Sequence, residues 1–83
     1  MTKDQQTQLL ILTMEECGEL IRACSKAYRR NYDEKSIIQL LEEAGDVYAM
    51  IEMMIVNNYF TLEDLKQRAE QKKAKTNLSL LNY

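Results

Sequence analysis

Four acidic side chains occur as two pairs, each with i, i+3 spacing, in two stretches of helical pattern. Glu16 and Glu19 form the first pair, and Glu43 and Asp46 form the second. At this spacing two side chains are neighbours on a helix, with Cβ atoms about 5–6 Å apart. If the two faces meet, four carboxylates converge and repel one another. A divalent cation removes that repulsion, and a carboxylate donor set without His or Cys indicates Mg²⁺, or alternatively Mn²⁺.

The residues around the acids help to decide between a metal site and the alternative, in which the carboxylates are simply solvated. A single Glu-x-x-Glu or Glu-x-x-Asp on a helix is usually a wet surface, so a plain structural bundle stays open. The second pair, however, shares its face with Met50, Met53 and Met54. A helix that is apolar nearly all round is expected to be buried, and buried carboxylates need a partner, a proton or a metal. Mg²⁺ usually keeps waters and binds phosphates, which indicates phosphate chemistry.

Three helices must position these acids. The predicted helices run from near Asp4 to about Arg29, from Ser36 to Val56, and from a capping-box start at Thr61–Asp64 to about Lys75. The first two carry apolar stripes at 4-3-4-3-4 spacing, typical of helices that pack on helices. The first stripe is Leu10, Met14, Cys17, Ile21, Cys24 and Tyr28, and the second is Ile37, Leu41, Ala44, Tyr48, Ile51 and Ile55. We expect Tyr48 to be a packing residue of the core.

The connection between the first two helices is short, from Asn31 to Lys35, and Asp33 is the predicted N-cap of the second. Short connections join antiparallel neighbours. A chain of 83 residues has a limited core of its own. We therefore predict an all-α fold: residues 1–83 form one domain, a helical hairpin plus a short third helix, which forms a four-helix bundle by dimerisation. A homodimer or homotetramer is expected.

Composition excludes several classes of function. The net charge of −2 gives no indication of nucleic-acid binding, and the absence of His excludes imidazole catalysis and the usual zinc sites. The apolar run from Val47 to Val56 is interrupted by Glu52 and is too short to span a bilayer, so no membrane partner is expected. The N-terminus shows no secretory pattern, and we expect a cytoplasmic protein. Cys17 and Cys24 are then reduced, buried thiols.

The two acidic stretches, Glu15-Glu16-Cys17-Gly18-Glu19-Leu20 and Leu41-Glu42-Glu43-Ala44-Gly45-Asp46-Val47, resemble the Glu-Glu-x-x-Glu and Glu-x-x-Asp signature of the MazG-like nucleotide pyrophosphohydrolases. These belong to the all-α NTP pyrophosphatase superfamily, and the resemblance covers roughly residues 9 to 75. It implies an Mg²⁺-dependent enzyme that hydrolyses a nucleoside triphosphate to a monophosphate and pyrophosphate. It also implies that the metal ligands are Glu16, Glu19, Glu43 and Asp46. Glu15 matches the first motif glutamate, which orients or deprotonates water or supports the fold.

Basic side chains are expected to meet the substrate's phosphates. The candidates are Lys26 on the first helix and Lys72 and Lys73 on the third, although a solvated charge is the ordinary role of any single cation. Near Asn77 the arginine usual in the family is absent, and Leu78 to Leu81 stand there. This departure keeps open a bundle that binds nucleotides or partners without catalysis. Phosphoribosyl-ATP pyrophosphohydrolase is a further alternative, against which the missing His near the second motif counts.

Overall fold

The computed structural model describes residues 1–76, and within this range the secondary structure is entirely helical. The prediction of an all-α fold is confirmed for these residues. The bounds of the three helices are α1 Lys3–Arg29, α2 Glu34–Val56 and α3 Leu62–Lys75. The predictions for the tail from Asn77 to Tyr83 lie outside the described residues. Contacts divide the chain into two compact units, Met1–Met53 and Met54–Tyr83.

The first helix begins at a cap that the sequence analysis missed. Thr2 accepts a hydrogen bond from the N–H of Gln5 at 3.1 Å, and the Gln5 side chain accepts one from the N–H of Thr2 at 2.8 Å. This reciprocal pair is a capping box, and it supplies partners for two N–H groups that lack one within the helix. The Thr-x-x-Gln spacing at positions 2 to 5 is the signal that could have predicted it.

The connection between α1 and α2 is tight and uses left-handed backbone. Asn31 and Tyr32 have φ of 52° and 58°, and the N–H of Tyr32 donates to the carbonyl of Ala27 at 2.8 Å. This hydrogen bond closes the C-terminus of α1 in the manner of a Schellman motif. Asn tolerates this conformation, whereas a left-handed Tyr carries a steric cost of roughly 1–2 kcal/mol. The turn therefore stores strain at Tyr32.

Asp33 caps α2 as predicted. Its carboxylate accepts a hydrogen bond from the N–H of Ser36 at 2.8 Å, and its carbonyl accepts one from the Ser36 hydroxyl at 2.9 Å. Hydrogen bonding of the Asp33 carboxylate with the side chain and the N–H of Ser36 holds the pKa of Asp33 below its usual range, and the charges of Arg30 and Lys35 add a smaller effect. The cap begins α2 at Glu34, two residues before the predicted Ser36.

The buried residues of the first unit mark where α1 and α2 meet, and they flank the predicted stripes. Leu9, Ala23 and Ala27 on α1 and Ser36 on α2 are buried. Three of these four side chains are small, which lets two helix backbones approach closely. The predicted stripes lie one residue position further round each helix, a rotation of about 100°, and so fall outside this inner surface.

We call the outward stripes the apolar face, and within the first unit it remains largely exposed. Ile21, Leu41 and Tyr48 are 70%, 71% and 58% exposed, so the expectation that Tyr48 packs in the core is wrong for the single chain. The same sense of rotation on two antiparallel helices brings both stripes to one side of the hairpin. The members of the apolar face are Leu10, Met14, Cys17, Ile21, Cys24, Tyr28, Ile37, Leu41, Ala44, Tyr48 and Ile51.

The cysteines follow the apolar face. Both thiols are free, Cys17 is half-buried and Cys24 is exposed. The prediction that both are buried is therefore wrong for Cys24, because the stripe that carries it is not the surface on which α1 meets α2.

The second unit contains the end of α2 and the whole of α3. Asn58 has φ of 64°, and the N–H of Tyr59 donates to the carbonyl of Met54 at 3.0 Å, which ends α2. α3 begins with the predicted capping box, in which Thr61 accepts from the N–H of Asp64 at 3.0 Å and Asp64 accepts from the N–H of Thr61 at 3.3 Å. It ends at Lys75 as predicted. In residues 1–76, none of the helices is both long and apolar enough to cross a bilayer.

Candidate metal centre

Three of the four predicted carboxylates come together in the first unit. Glu16 of α1 and Glu43 and Asp46 of α2 each place one carboxylate oxygen within 4.8 Å of those of the other two. We call these three residues the acidic cluster. Glu16 and Glu43 belong to different motifs, so the hairpin is what brings the two motifs to one place.

The positions of these acids around the helices explain why they meet. Glu16 and Glu43 are half-buried and lie at the surface on which α1 meets α2, while Asp46 is exposed beside it. Asp46 lies about 80° around α2 from the buried Ser36, on the side away from the apolar face. The expectation that the surroundings bury all of these acids is therefore wrong for Asp46. The neighbouring Met53 is also 46% exposed.

The acidic cluster concentrates negative charge around Glu16. Loss of hydration at the helix contact raises the pKa of Glu16, and the charges of Asp46, Glu43, Glu19 and Glu15 raise it further, in that order. Within residues 1–76, the ion pairs of Glu19 with Arg22 and of Glu70 with Lys73 do not involve a member of the cluster. The negative charges around Glu16 therefore favour a proton or a cation at that carboxylate.

The donor set fits a hard divalent cation. Mg²⁺ binds oxygen at about 2.0–2.1 Å, so oxygens on opposite sides of the ion lie roughly 4.1 Å apart. Adjacent oxygens on an octahedral ion are closer, roughly 2.9 Å apart, so the three side chains, whose oxygens lie within 4.8 Å of one another, would have to rotate inward to bind one ion together. Exposure of Asp46 leaves a side of the cluster open to water and to a ligand. Acidic groups of this kind also occur in proteins without a metal, so the arrangement permits a metal and does not by itself require one.

The fourth predicted ligand, Glu19, is turned to another partner. Its carboxylate accepts a hydrogen bond from the guanidinium of Arg22, one turn further along α1. Glu19 is close enough to Glu16 to contribute to the raised pKa of that group, but it does not join the acidic cluster. Arg22 is a residue that the sequence analysis missed, although its i, i+3 spacing from Glu19 is the signal for such a pair.

The remaining predicted site residues lie on α1 and α3. Glu15 is exposed on α1, and Lys26 is half-buried on the same helix. Glu19 and Lys26 are seven residues apart, which places them on the same side of α1, roughly 10 Å from each other along its axis. Lys72 and Lys73 are exposed on α3 in the second unit, where Lys73 donates to Glu70 at 3.2 Å.

Comparison of the chain with models of protein families, with curated proteins and with solved structures found no match in any of the three.

Proposed function

We propose that this protein is an Mg²⁺-dependent nucleoside triphosphate pyrophosphohydrolase, which converts a ribo- or deoxyribonucleoside triphosphate and water to the monophosphate and pyrophosphate. The observation that carries the proposal is the convergence of Glu16, Glu43 and Asp46 within 4.8 Å. These residues come from the two motifs whose resemblance to the MazG-like enzymes suggested the reaction. Among residues 1–76, neither the Glu19–Arg22 nor the Glu70–Lys73 ion pair involves a member of the cluster, which leaves its carboxylates available to a cation.

The roles of the residues follow from their charge and position. Glu16, Glu43 and Asp46 would hold Mg²⁺, with Mn²⁺ as a substitute, and Glu19 is the proposed fourth ligand. The ion supplies positive charge that binds phosphate oxygens and promotes deprotonation of water. Without a cation, the cluster would repel a triphosphate, so the carboxylates make binding depend on the metal. Phosphoryl transfer needs placement and charge neutralisation more than covalent chemistry, which a chain without His can provide.

Other side chains complete the proposed site. Glu15, exposed one residue before Glu16, is proposed to orient or deprotonate the attacking water. Lys26 lies on the same side of α1 as Glu19, and its half-buried stem would carry the ammonium group toward the phosphates. Lys72 and Lys73 remain proposed phosphate contacts. The proposal keeps the cytoplasmic location that the sequence predicts.

The proposed assembly is a homodimer in which the apolar faces of two hairpins form a four-helix bundle, with a homotetramer as a larger form. What supports it is the exposure of this face in the single chain, including Ile21 and Leu41. The apolar face and the acidic side of the hairpin lie on opposite sides, because Glu19 and Asp46 are rotated away from the stripes by about 180° on their helices. Dimerisation through the apolar face would therefore leave each acidic cluster open to substrate.

The test is pyrophosphate release from a panel of nucleoside triphosphates, deoxynucleoside triphosphates and phosphoribosyl-ATP, with Mg²⁺, with Mn²⁺ and with chelator. The variant is Glu43→Gln, which keeps the size of the side chain and removes one cluster charge. Glu52→Gln is the matched control, since Glu52 is an exposed glutamate on the same helix outside the cluster. We expect metal-dependent release that Glu43→Gln loses and Glu52→Gln keeps. Equal activity in both variants would contradict the assignment.

Thermal unfolding and nucleotide binding separate the proposed enzyme from two alternatives, a helical bundle that binds nucleotides without catalysis and a purely structural bundle. A ligand that binds only the folded state stabilises it by about 2.7 kcal/mol at one hundred times its dissociation constant. We expect Mg²⁺ to raise the melting temperature of the wild type and not that of Glu43→Gln. Nucleotide binding without release of pyrophosphate would indicate a binding module. No response to Mg²⁺ or nucleotide would indicate a structural bundle with solvated acids.

A further inference from the structure

Glu19 stands apart from the other predicted ligands because it has a cationic partner on its own helix. Its carboxylate accepts a hydrogen bond from the guanidinium of Arg22, and the two side chains are 48% and 67% exposed. Glu19 also lies one turn from Glu16, with Cβ atoms about 5–6 Å apart. Rotation of its side chain therefore decides whether the carboxylate points to Arg22 or to the acidic cluster.

Electrostatics favour contact of the Glu19 carboxylate with Arg22 when no cation is bound, and with the acidic cluster when a cation is bound. Without one, a fourth carboxylate turned to Glu16, Glu43 and Asp46 would add to their mutual repulsion. The guanidinium of Arg22 offers Glu19 an opposite charge instead. With a divalent cation in the cluster, most of this negative charge is neutralised, and the same carboxylate is attracted to the ion at binding distance.

We propose that Arg22 is a positioning residue, which holds Glu19 away from the acidic cluster until a divalent cation enters and thereby sets the affinity for that cation. The inference rests on the proposed metal site and adds a residue that neither motif includes. The exchange is energetically feasible because an exposed ion pair contributes at most about fivefold to an equilibrium constant. Breaking it therefore lowers metal affinity by a similar factor at most.

The experiment is calorimetric titration of the metal-free, full-length protein with Mn²⁺, without nucleotide. Arg22→Gln removes the partner of Glu19, and we expect it to bind Mn²⁺ up to about fivefold more tightly than the wild type. Arg22→Lys keeps a cation that can pair with Glu19 and is expected to stay closer to the wild type. The melting temperature of the metal-free protein should change little in either variant, because the pair is exposed.

A double-mutant cycle tests whether Arg22 acts through Glu19. In a Glu19→Gln background, which binds Mn²⁺ more weakly, Arg22→Gln should no longer change the affinity. If Arg22→Gln tightens Mn²⁺ binding by the same factor in the Glu19→Gln background, Arg22 acts only through its charge. The proposed exchange of Glu19 between Arg22 and the cation is then refuted. Unchanged affinity of Arg22→Gln in the wild-type background refutes it as well.

The same titrations separate this inference from the proposed function. If the wild type binds Mn²⁺ and Glu43→Gln does not, the metal site stands, and the cycle decides the role of Arg22 alone. If the wild type binds no Mn²⁺, the metal site and the role of Arg22 fail together.

Discussion

Replacing Ile21 by Ala should weaken the proposed dimer strongly while leaving the single hairpin folded. Ile21 lies on the apolar face and is 70% exposed in the single chain. Burying a whole Ile side chain contributes about 1.5–3 kcal/mol, so covering the exposed part contributes roughly 1–2 kcal/mol per copy. A two-fold dimer contains this contact twice, and the loss of about 2–4 kcal/mol corresponds to an increase of roughly 30- to 1000-fold in the dissociation constant.

The assay is sedimentation equilibrium over a dilution series, with the wild type beside two alanine variants. Ile11→Ala is the matched control, because Ile11 is the same residue type on the same helix. It is 42% exposed but is turned away from the apolar face by about 100°. We expect Ile21→Ala to dissociate at much higher concentration than the wild type and Ile11→Ala to match the wild type.

Two results would refute this reasoning. A wild type that is monomeric at every concentration would show that a second copy does not cover the apolar face. Equal weakening by Ile11→Ala and Ile21→Ala would show that copies associate through a different surface or without a specific one. Circular dichroism of Ile21→Ala checks that the helices are retained.

The remaining predictions concern pH and the turn. Because the pKa of Glu16 is raised from 4.5, the folded metal-free chain binds this proton more tightly than the unfolded chain. The contribution of Glu16 to stability should therefore fall as pH rises from about 4.5 through the raised value, and Glu16→Gln should remove that part of the pH dependence in urea unfolding. The pKa of Asp33 is lowered from 3.8, so its contribution is present above that value and lost as pH falls through the folded-state pKa; the difference between wild type and Asp33→Asn measures it. Tyr32→Gly should raise the free energy of unfolding by up to about 1 kcal/mol, since relief of the left-handed strain outweighs the added freedom of the unfolded chain. A lower urea midpoint for Tyr32→Gly would contradict this.

The apolar stripes do not contain the residues at which α1 and α2 meet, for a definite reason. The strongest periodic signal came from large side chains such as Ile21, Leu41 and Tyr48, which lie on the apolar face. The helices meet instead at Leu9 and at Ala23, Ala27 and Ser36, and the last three have small side chains that add little to an apolar stripe. Hydropathy indicates how much a side chain gains from burial, whereas close approach of two helices depends on how small the side chains between them are.

The sequence by itself determined what depends on residues within a few positions of one another. The bounds of the helices, the Asp33 cap and the Thr61 capping box could be predicted because each depends on hydrogen bonds to residues three or four positions away. The two acidic pairs could be recognised for the same reason, since helical spacing places each pair on neighbouring positions.

Only the tertiary structure decided which acids meet. Glu16 and Glu43 are distant in sequence, and their meeting depends on the rotation of each helix about its axis in the hairpin. That rotation brings Asp46 into the acidic cluster and leaves the apolar stripes outside. Glu19 instead pairs with Arg22. Side-chain spacing restricts which residues share a face, but the choice between two available partners depends on the charges that the folded chain places around each one.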